Sequence, residues 1–220
     1  LSAADQETEN PEVSTLAGSG SSGSANGTGT SASFNLPRDI TTDGTNLYVA
    51  DRSNHTIRKI VISTGAVTTL AGSGTAGSTD TTGTAAKFYY PRGITTDGTN
   101  LYVADTHNHK IRKIVISTGA VTTLAGSTSH GSTDGTGTSA KFYYPRGIIT
   151  DGTNLYVADT SNHRIRKIVL STGVVTTLAG SSSGSTDATT GTAAKFKNPR
   201  GITTDGTNLY VADADNHLIR

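Results

Sequence analysis

The chain is built from one sequence unit that recurs every 54 residues. Each copy holds a proline and, at a fixed distance after it, the segment NLYVAD; the prolines stand at positions 37, 91, 145 and 199. Repetition on this scale constrains the architecture more than chain length does, because each repeat is one supersecondary unit that needs its neighbours to bury its apolar faces. The units span about 36–89, 90–143, 144–197 and 198–220, and residues 13–35 match the end of a further unit.

Each unit predicts four short antiparallel strands and no helix. In the first unit these are 37–42, 47–50, 55–62 and 66–70, separated by turn sequences such as the Asp-Gly pair at 43–44. The third strand is apolar on both faces, so we expect it to be covered from both sides. A glycine-rich connection of constant length follows and ends in a phenylalanine, which predicts an ordered loop that the aromatic ring holds in place.

Four short strands per unit at a period near 50 residues predict an all-β fold, a β-propeller of four-stranded antiparallel blades. The motif Pro-Arg-Gly-Ile, then Asp-Gly, then LYVAD and Asn-His resembles the NHL repeat, and residues 216–218 read Asn-His-Leu literally. The resemblance covers residues 36–220. It implies a propeller that usually has six blades, so four units predict a larger ring of which this chain is part, or closure by pairing of the terminal strands.

The two ends of the chain bear on closure. Residues 1–12 are polar and aperiodic, which predicts an extended lead-in to a propeller that spans 13–220. The last unit stops at Arg220 inside its third strand. We expect Val13–Leu16 to supply a fourth strand there, either within one chain or in a neighbouring subunit, which would give a homo-oligomer. A longer chain that continues the ring is the alternative.

Composition excludes some classes of function. With 18 basic and 17 acidic residues the formal net charge is +1, which argues against nucleic-acid binding. No apolar run reaches the length of a membrane span. The chain has no cysteine, so disulfides and thiolate metal sites are excluded. The Thr-, Ser- and Gly-rich composition is typical of an exported protein, and we expect an extracellular or cell-surface location.

An aspartate, an asparagine and a histidine recur between the second and third strands of every unit. They are Asp51, Asn54, His55, Asp105, Asn108, His109, Asp159, Asn162, His163, Asp213, Asn216 and His217. Metal binding or acid–base chemistry is one interpretation. We favour a structural one, in which they cap the turn and pair with Arg38, Arg92, Arg146 and Arg200, because an active site is rarely repeated in every blade.

The glycine-rich connections also carry one acidic or amide side chain each. Asp80, Asp134 and Asp187 lie there, with Asn26 in the first copy. One carboxylate per loop is far from the 6–8 oxygen ligands that Ca²⁺ takes, so we predict turn-forming side chains and no cofactor, with calcium as the weaker alternative.

Residues that differ between blades are the candidates for binding. They are Arg52, His107, His130, Arg164, Lys197, Tyr89, Tyr90, Tyr143 and Tyr144. The tyrosine pairs stand just before prolines 91 and 145 and form either an exposed aromatic strip or packing in the groove between blades, which we favour.

We therefore predict a non-catalytic binding or scaffold module that presents one propeller face to a protein or a glycan. A self-assembling, filament-forming surface protein is one alternative, because a blade could be completed between subunits. A metal-dependent lyase or hydrolase, as in some proteins with NHL-like propellers, is another. An enzyme would need ligands that differ between blades, and His107 and His130 are the histidines that do.

Overall fold

A computed structural model describes residues 12–220, and every regular element in that range is a strand or a short 3₁₀ turn. The predicted lead-in at 1–12 therefore lies almost wholly outside the described residues. Four antiparallel sheets follow one another along the chain, one for each repeat. The all-β propeller is confirmed.

The first strand of each repeat begins at its proline, and each later strand of the repeat pairs with the strand before it; the last sheet has three strands and the others have at least four. The strands are β1 Gly27–Thr28, β2 Pro37–Thr42, β3 Asn46–Asp51, β4 Thr56–Val61, β5 Ala66–Ala71, β6 Pro91–Thr96, β7 Asn100–Asp105, β8 Lys110–Val115, β9 Val121–Gly126, β10 Gly135–Thr136, β11 Pro145–Thr150, β12 Asn154–Asp159, β13 Arg164–Val169, β14 Val174–Ala179, β15 Pro199–Thr204, β16 Leu209–Asp213 and β17 Leu218–Ile219. The short strands β1 and β10 extend the outer edges of the first and third sheets.

Eight 3₁₀ turns punctuate the connections. They are Gly29–Ser31, Arg52–Asn54, Gly83–Ala85, Thr106–Asn108, Gly137–Ser139, Thr160–Asn162, Gly191–Ala193 and Ala214–Asn216. The turn after the second strand ends at a histidine in the left-handed conformation, with φ of 56° at His55 and 58° at His109. The third strand therefore begins one residue later than the sequence predicts.

The first strands are innermost and line a central channel, and the apolar cores lie between consecutive blades. The core between blades 1 and 2 joins Tyr48 and Ile57 of blade 1 to Phe88 and Leu101 of blade 2. Blades 2 and 3 are covered on two sides, and there the expectation of a third strand buried on both faces is confirmed, with Ile111, Arg112 and Ile114 all fully buried in blade 2. A register shift in each of the first three blades, such as that at Ile57, turns successive side chains into the two interfaces.

Residues 13–16 do not form the strand that the sequence predicts. Over residues 12–220, β17 pairs with β16, and Val13–Leu16 have no strand partner. The Gly18 N–H instead donates to the Gly29 carbonyl at 3.1 Å, as the Gly72 N–H does to Gly83. The segment that ends at Gly18 thus lies beside blade 1, in the position that the end of each fourth strand occupies beside the following blade. The predicted pairing with the last blade of the same chain is therefore wrong, and pairing with the last blade of a neighbouring subunit stays a prediction.

Candidate functional site

The repeated aspartate, asparagine and histidine hold the blades together. Asp105 is fully buried and accepts hydrogen bonds from the Tyr89 N–H, Asn108 Nδ2 and Arg112 Nη1, each at 2.8 Å. Asn108 Nδ2 also donates to the Gly77 carbonyl at 2.6 Å, which ties the turn to the glycine-rich connection. Asp51, Asp159 and Asp213 accept the same three kinds of donor. These contacts favour the structural interpretation.

The arginine partner differs from the one that the sequence predicts. Each aspartate pairs with an arginine of its own third strand, namely Arg58, Arg112, Arg166 or Arg220, and not with Arg38, Arg92, Arg146 or Arg200. The predicted pairing is wrong because the aspartate ends the second strand and faces the neighbouring third strand. Burial raises the pKa of Asp105 to about 6, while Arg112 and Asn108 act in the opposite direction and keep the carboxylate ionised at neutral pH.

The acidic side chains of the glycine-rich connections complete the shell around the same arginines. Asp80 binds Arg112 and accepts the Thr123 N–H at 3.0 Å, and Asp134 binds Arg166 at 2.7 Å. Phe88 and Phe142 are fully buried, with the guanidinium carbons 5.0 and 5.1 Å from their ring centres. The ordered connection held by phenylalanine is confirmed. The interpretation of Asp80 and Asp134 as turn-forming residues is wrong, because their partners are distant in the chain.

Several candidate binding residues come together at the end of the propeller where the first strands begin. His107 lies between the two blades that carry tyrosine pairs, with its ring centre 4.8 Å from that of Tyr90 and 5.0 Å from that of Tyr144. Tyr89 stacks on Tyr90 at 5.1 Å, and Tyr143 stacks on Tyr144 at 5.0 Å. We call these five residues the aromatic surface.

Charged and imidazole groups border the aromatic surface. The Arg52 guanidinium lies 4.4 Å from the Tyr90 ring centre, and His130 stacks on Tyr143 at 4.4 Å. His55 and His109 support the surface from below, since their Nδ1 atoms accept the N–H groups of Tyr90 and Tyr144 at 3.1 and 3.2 Å. The tyrosine pairs are half-buried or exposed, so they combine the two alternatives that the sequence left open.

The histidines of this surface are neutral at physiological pH. Burial, together with the positive charges of Arg92 and Arg52, lowers the pKa of His107 to about 4. Burial also lowers the pKa of His55 and of His109. Neutral imidazoles contact the tyrosine rings without charge repulsion from the nearby arginines. The His107 ring meets those of Tyr90 and Tyr144 edge-on, so the surface is a set of edge-to-face aromatic contacts with guanidinium groups beside it.

Two other candidates lie apart from the aromatic surface. Arg164 donates from Nη1 to the Ser132 carbonyl at 3.1 Å, on the glycine-rich connection of its blade. Lys197 occupies the position of Tyr89 and Tyr143 in blade 4 and is exposed, and its N–H donates to Asp213. Blade 4 therefore presents a cation where blades 2 and 3 present tyrosines.

The four arginines that the sequence assigns to the repeated aspartates lie instead at the centre of the channel. A cavity of about 350 Å³ lies on the axis and is lined by Arg38, Asp39, Arg92, Gly93, Arg146, Gly147, Ile148, Arg200, Gly201 and Ile202. We call Arg38, Arg92, Arg146 and Arg200 the arginine cluster. Each follows the first-strand proline, and Arg92 and Arg146 are two residues from Tyr90 and Tyr144. The sequence feature that marks these arginines is the Pro-Arg dipeptide, which occurs in every copy of the repeat.

Comparisons with known proteins agree with the repeat pattern. The NHL repeat family matches residues 88–114 and 142–168 of the chain. Protein SUPPRESSOR OF QUENCHING 1, chloroplastic, from Arabidopsis thaliana is 31% identical over 96% of the chain and 22% of its own length. NHL repeat-containing protein 2 from Homo sapiens is 38% identical over 60% of the chain and 20% of its own length.

The chain is an NHL-repeat propeller. It spans about a fifth of the length of these curated relatives. Among solved structures, an auxiliary nutrient binding protein from Bacteroides ovatus superposes on it with a TM-score of 0.68 at 22% identity, over 86% of this chain and 48% of that one. A protein of unknown function from Bacteroides thetaiotaomicron gives a TM-score of 0.66 at 26% identity, over 83% and 46% of the two chains.

Two further features of this NHL-repeat propeller concern membranes and metals. Within residues 12–220 no helix has the length and apolar character needed to cross a membrane. In the same range no three carboxylate or imidazole side chains group as metal ligands. The repeated histidines that accept backbone N–H groups use their Nδ1 lone pairs in that bond, which leaves Nε2 protonated in the neutral ring.

Proposed function

We propose that this NHL-repeat propeller is a non-catalytic binding module whose recognition surface is the channel mouth, formed by the aromatic surface and Arg52. One observation carries the proposal. The blades share their structural residues, whereas the tyrosine pairs, His107 and Arg52 differ between blades and are nevertheless contiguous.

The chemistry of the surface suits a ligand segment of a protein or a glycan. Tyrosine and histidine rings offer large apolar contact area at a small cost in side-chain entropy, and their polar atoms add hydrogen bonds. Tyr89 is 36% exposed, so a ligand reaches its ring without rearrangement of the backbone. Arg52 supplies a fixed cation at one edge, since its guanidinium is held over Tyr90.

Binding to panels of oligosaccharides and of peptides tests the proposal. We expect at least one class to bind, and we expect Tyr90→Ala and Tyr144→Ala each to weaken that binding about tenfold, because truncation of an aromatic contact residue costs more than 1 kcal/mol. Tyr210→Ala is the matched control. Tyr210 is 43% exposed and lies near the far end of its blade, with its hydroxyl bonded to Asp205. Equal effects of the Tyr90 and Tyr210 changes, or no binding to either panel, would contradict the proposal.

A second candidate function is self-association through the outer faces of the first and last blades. Ile40 of β2 is 54% exposed, whereas its equivalents Ile94 and Ile148 are 3% and 4% exposed under the preceding blade. Ile219 of β17 is 79% exposed on an edge strand. A second copy of the chain that covers these residues would bury them as consecutive blades do.

Light scattering of the 220-residue chain over a range of concentrations tests the second candidate. We expect association that Ile40→Asp and Ile219→Asp each weaken, while Tyr210→Asp, which adds the same single charge at another partly exposed site, leaves it intact. A monomer at all concentrations would exclude it.

We also propose that the module acts outside the cell and needs no cofactor, on the basis of its composition and of the arginine partners that occupy Asp80 and Asp134. Detection of the protein in the extracellular or cell-surface fraction of its host tests the proposed location. Addition of calcium tests the proposal that no cofactor is needed, and we expect it to leave the melting temperature unchanged.

A further inference from the structure

The arginine cluster at the centre of the channel differs from the repeated arginines of the third strands. Over residues 12–220, the side chains of Arg38, Arg92 and Arg146 form no hydrogen bond and no ion pair. Arg200 alone of the four has a partner, Asp215 at 3.1 Å. The buried Nε atoms of Arg92 and Arg146 are without a partner.

The third-strand arginines show what a purely structural arginine looks like in this fold. Arg112 is fully buried, and it bonds with Asp105, Asp80 and the carbonyls of Lys87 and Thr79. Arg166 repeats this pattern in the next blade. The third-strand arginines thus bond carboxylates and carbonyls through their Nη atoms, although the Nε atoms of Arg58 and Arg166 also lack a partner. The channel arginines differ because, Arg200 apart, their Nη atoms have no acceptor among the described residues.

The channel concentrates positive charge, because its four arginines face two nearby carboxylates, Asp39 and Asp215, and only Asp215 forms an ion pair with one of them. Asp39 is the one carboxylate that lines the cavity, and the N–H groups of Ile40 and Ile94 each bond one of its oxygens at 2.9 Å. Burial, followed by the charges of Arg146, Arg52, Arg38 and Arg200, lowers the pKa of Arg92 to about 10. Like charges held together in a partly enclosed site repel one another when the site is empty. Binding of an anion in the site is favoured because it offsets this repulsion.

We propose that the arginine cluster binds an oxyanion, a carboxylate, sulfate or phosphate group carried by the ligand, inside the channel mouth. Guanidinium groups present paired N–H donors that match the oxygens of these groups. The cavity of about 350 Å³ has room for one such group. The inference rests on the proposed function, because a ligand that reaches the aromatic surface lies over the same opening.

Calorimetric titration with sodium sulfate, sodium phosphate and sodium citrate tests the proposal and separates the three anion chemistries. We expect one anion to bind per chain and to raise the melting temperature more than sodium chloride does at equal ionic strength. Arg92→Gln combined with Arg146→Gln should weaken this binding at least about tenfold, and it should raise the melting temperature in the absence of the anion because it removes repulsion.

Lys113→Gln combined with Lys167→Gln is the matched control. It removes the same charge from two third-strand positions that do not line the cavity. Sulfate binding that survives in the lysine variant and is lost in the arginine variant supports a built site. Equal losses in the two variants, or no binding that exceeds the effect of chloride, would overturn the inference.

The two proposals fail separately. If Tyr90→Ala weakens oligosaccharide or peptide binding while none of the three anions binds, the oxyanion site falls and the aromatic recognition surface stands. If sulfate binds to the arginine cluster and Tyr90→Ala changes no ligand binding, the site stands without the proposed recognition surface. Circular dichroism of each variant establishes that the propeller remains folded before either result is used.

Discussion

Replacing Asp105 with asparagine tests whether the repeated aspartates are structural. The carboxylate is buried and accepts three hydrogen bonds at 2.8 Å, one of them from the buried Arg112. Asparagine keeps one acceptor oxygen but turns an NH₂ group toward donors. It also removes one of the two carboxylate charges that balance Arg112, the other being that of Asp80. Breaking a buried ion pair by removal of one partner costs about 3–5 kcal/mol, and we expect a loss in this range.

The fourth blade provides the matched comparison. Asp213 accepts the Lys197 N–H at 2.7 Å and Asn216 Nδ2 at 2.8 Å, but its arginine, Arg220, is 3.4 Å away and has an accessible side chain. Asp213→Asn therefore removes a weaker charge–charge contact, and we expect it to cost about 2 kcal/mol. The two variants change the same chemical group in the same sequence motif, so their difference reports the ion pair.

Urea unfolding followed by circular dichroism measures both variants. Arg112→Met alone and combined with Asp105→Asn completes a double-mutant cycle, in which the coupling energy between the two side chains should be about 2 kcal/mol or more. A free energy of unfolding for Asp105→Asn within about 1 kcal/mol of the unchanged protein would refute the reasoning. Equal costs in blades 2 and 4 would refute it as well.

Two further predictions concern the channel and its mouth. The pKa of His107 is about 4 in the folded protein and about 6.5 in the unfolded chain, so the unfolded state binds more protons between these values and stability falls as pH drops through that window. Between pH 7.5 and 5 the melting temperature of the unchanged protein should therefore fall further than that of His107→Gln, by the equivalent of about 1 kcal/mol after solvent screening. Parallel curves of melting temperature against pH would contradict this prediction. Gly93→Ala should destabilise the propeller by about 1–3 kcal/mol, since its Cβ would lie 2.1 Å from the Arg146 carbonyl oxygen, whereas Gly201→Ala, whose nearest neighbour would be 3.5 Å away, should be tolerated in the same urea assay.

The propeller could be predicted from the sequence because its determinants are local and repeated. The Asp-Gly turn, the first-strand proline and the alternation within each strand fix the ranges of the strands to within a residue or two. The repeated Asp105 and its equivalents pointed to a structural role for the same reason. Their true partner was not predictable from spacing, since Arg112 and Arg92 are both close in the chain. The strand register places Asp105 opposite both Pro91 and Lys110, and only the side-chain directions decide in favour of Arg112.

The candidate site could be predicted only in part. Its tyrosines and His107 stood out because they differ between blades, but their assembly into one surface depends on how neighbouring blades pack. Arg92 and Arg146 were visible in the sequence, 54 residues apart, and only the geometry of the channel brings them to one cavity. The bond between Asp80 and Arg112 likewise joins residues of a connection and a strand that the sequence places far apart.

The tyrosines themselves allow the most direct test of recognition at the channel mouth. Of the 8 tyrosines, Tyr89, Tyr90, Tyr143 and Tyr144 belong to the aromatic surface. The other tyrosines lie on second strands and donate their hydroxyls to Asp43, Asp97, Asp151 and Asp205. Fluorine NMR of the protein labelled with fluorotyrosine resolves these two groups during titration with a uronic-acid trisaccharide, which carries both sugar rings and carboxylates. We predict that resonances of the aromatic surface shift and saturate while those of the second strands stay in place. Saturable shifts confined to the second-strand tyrosines, or no shift in either group, would contradict recognition at the channel mouth.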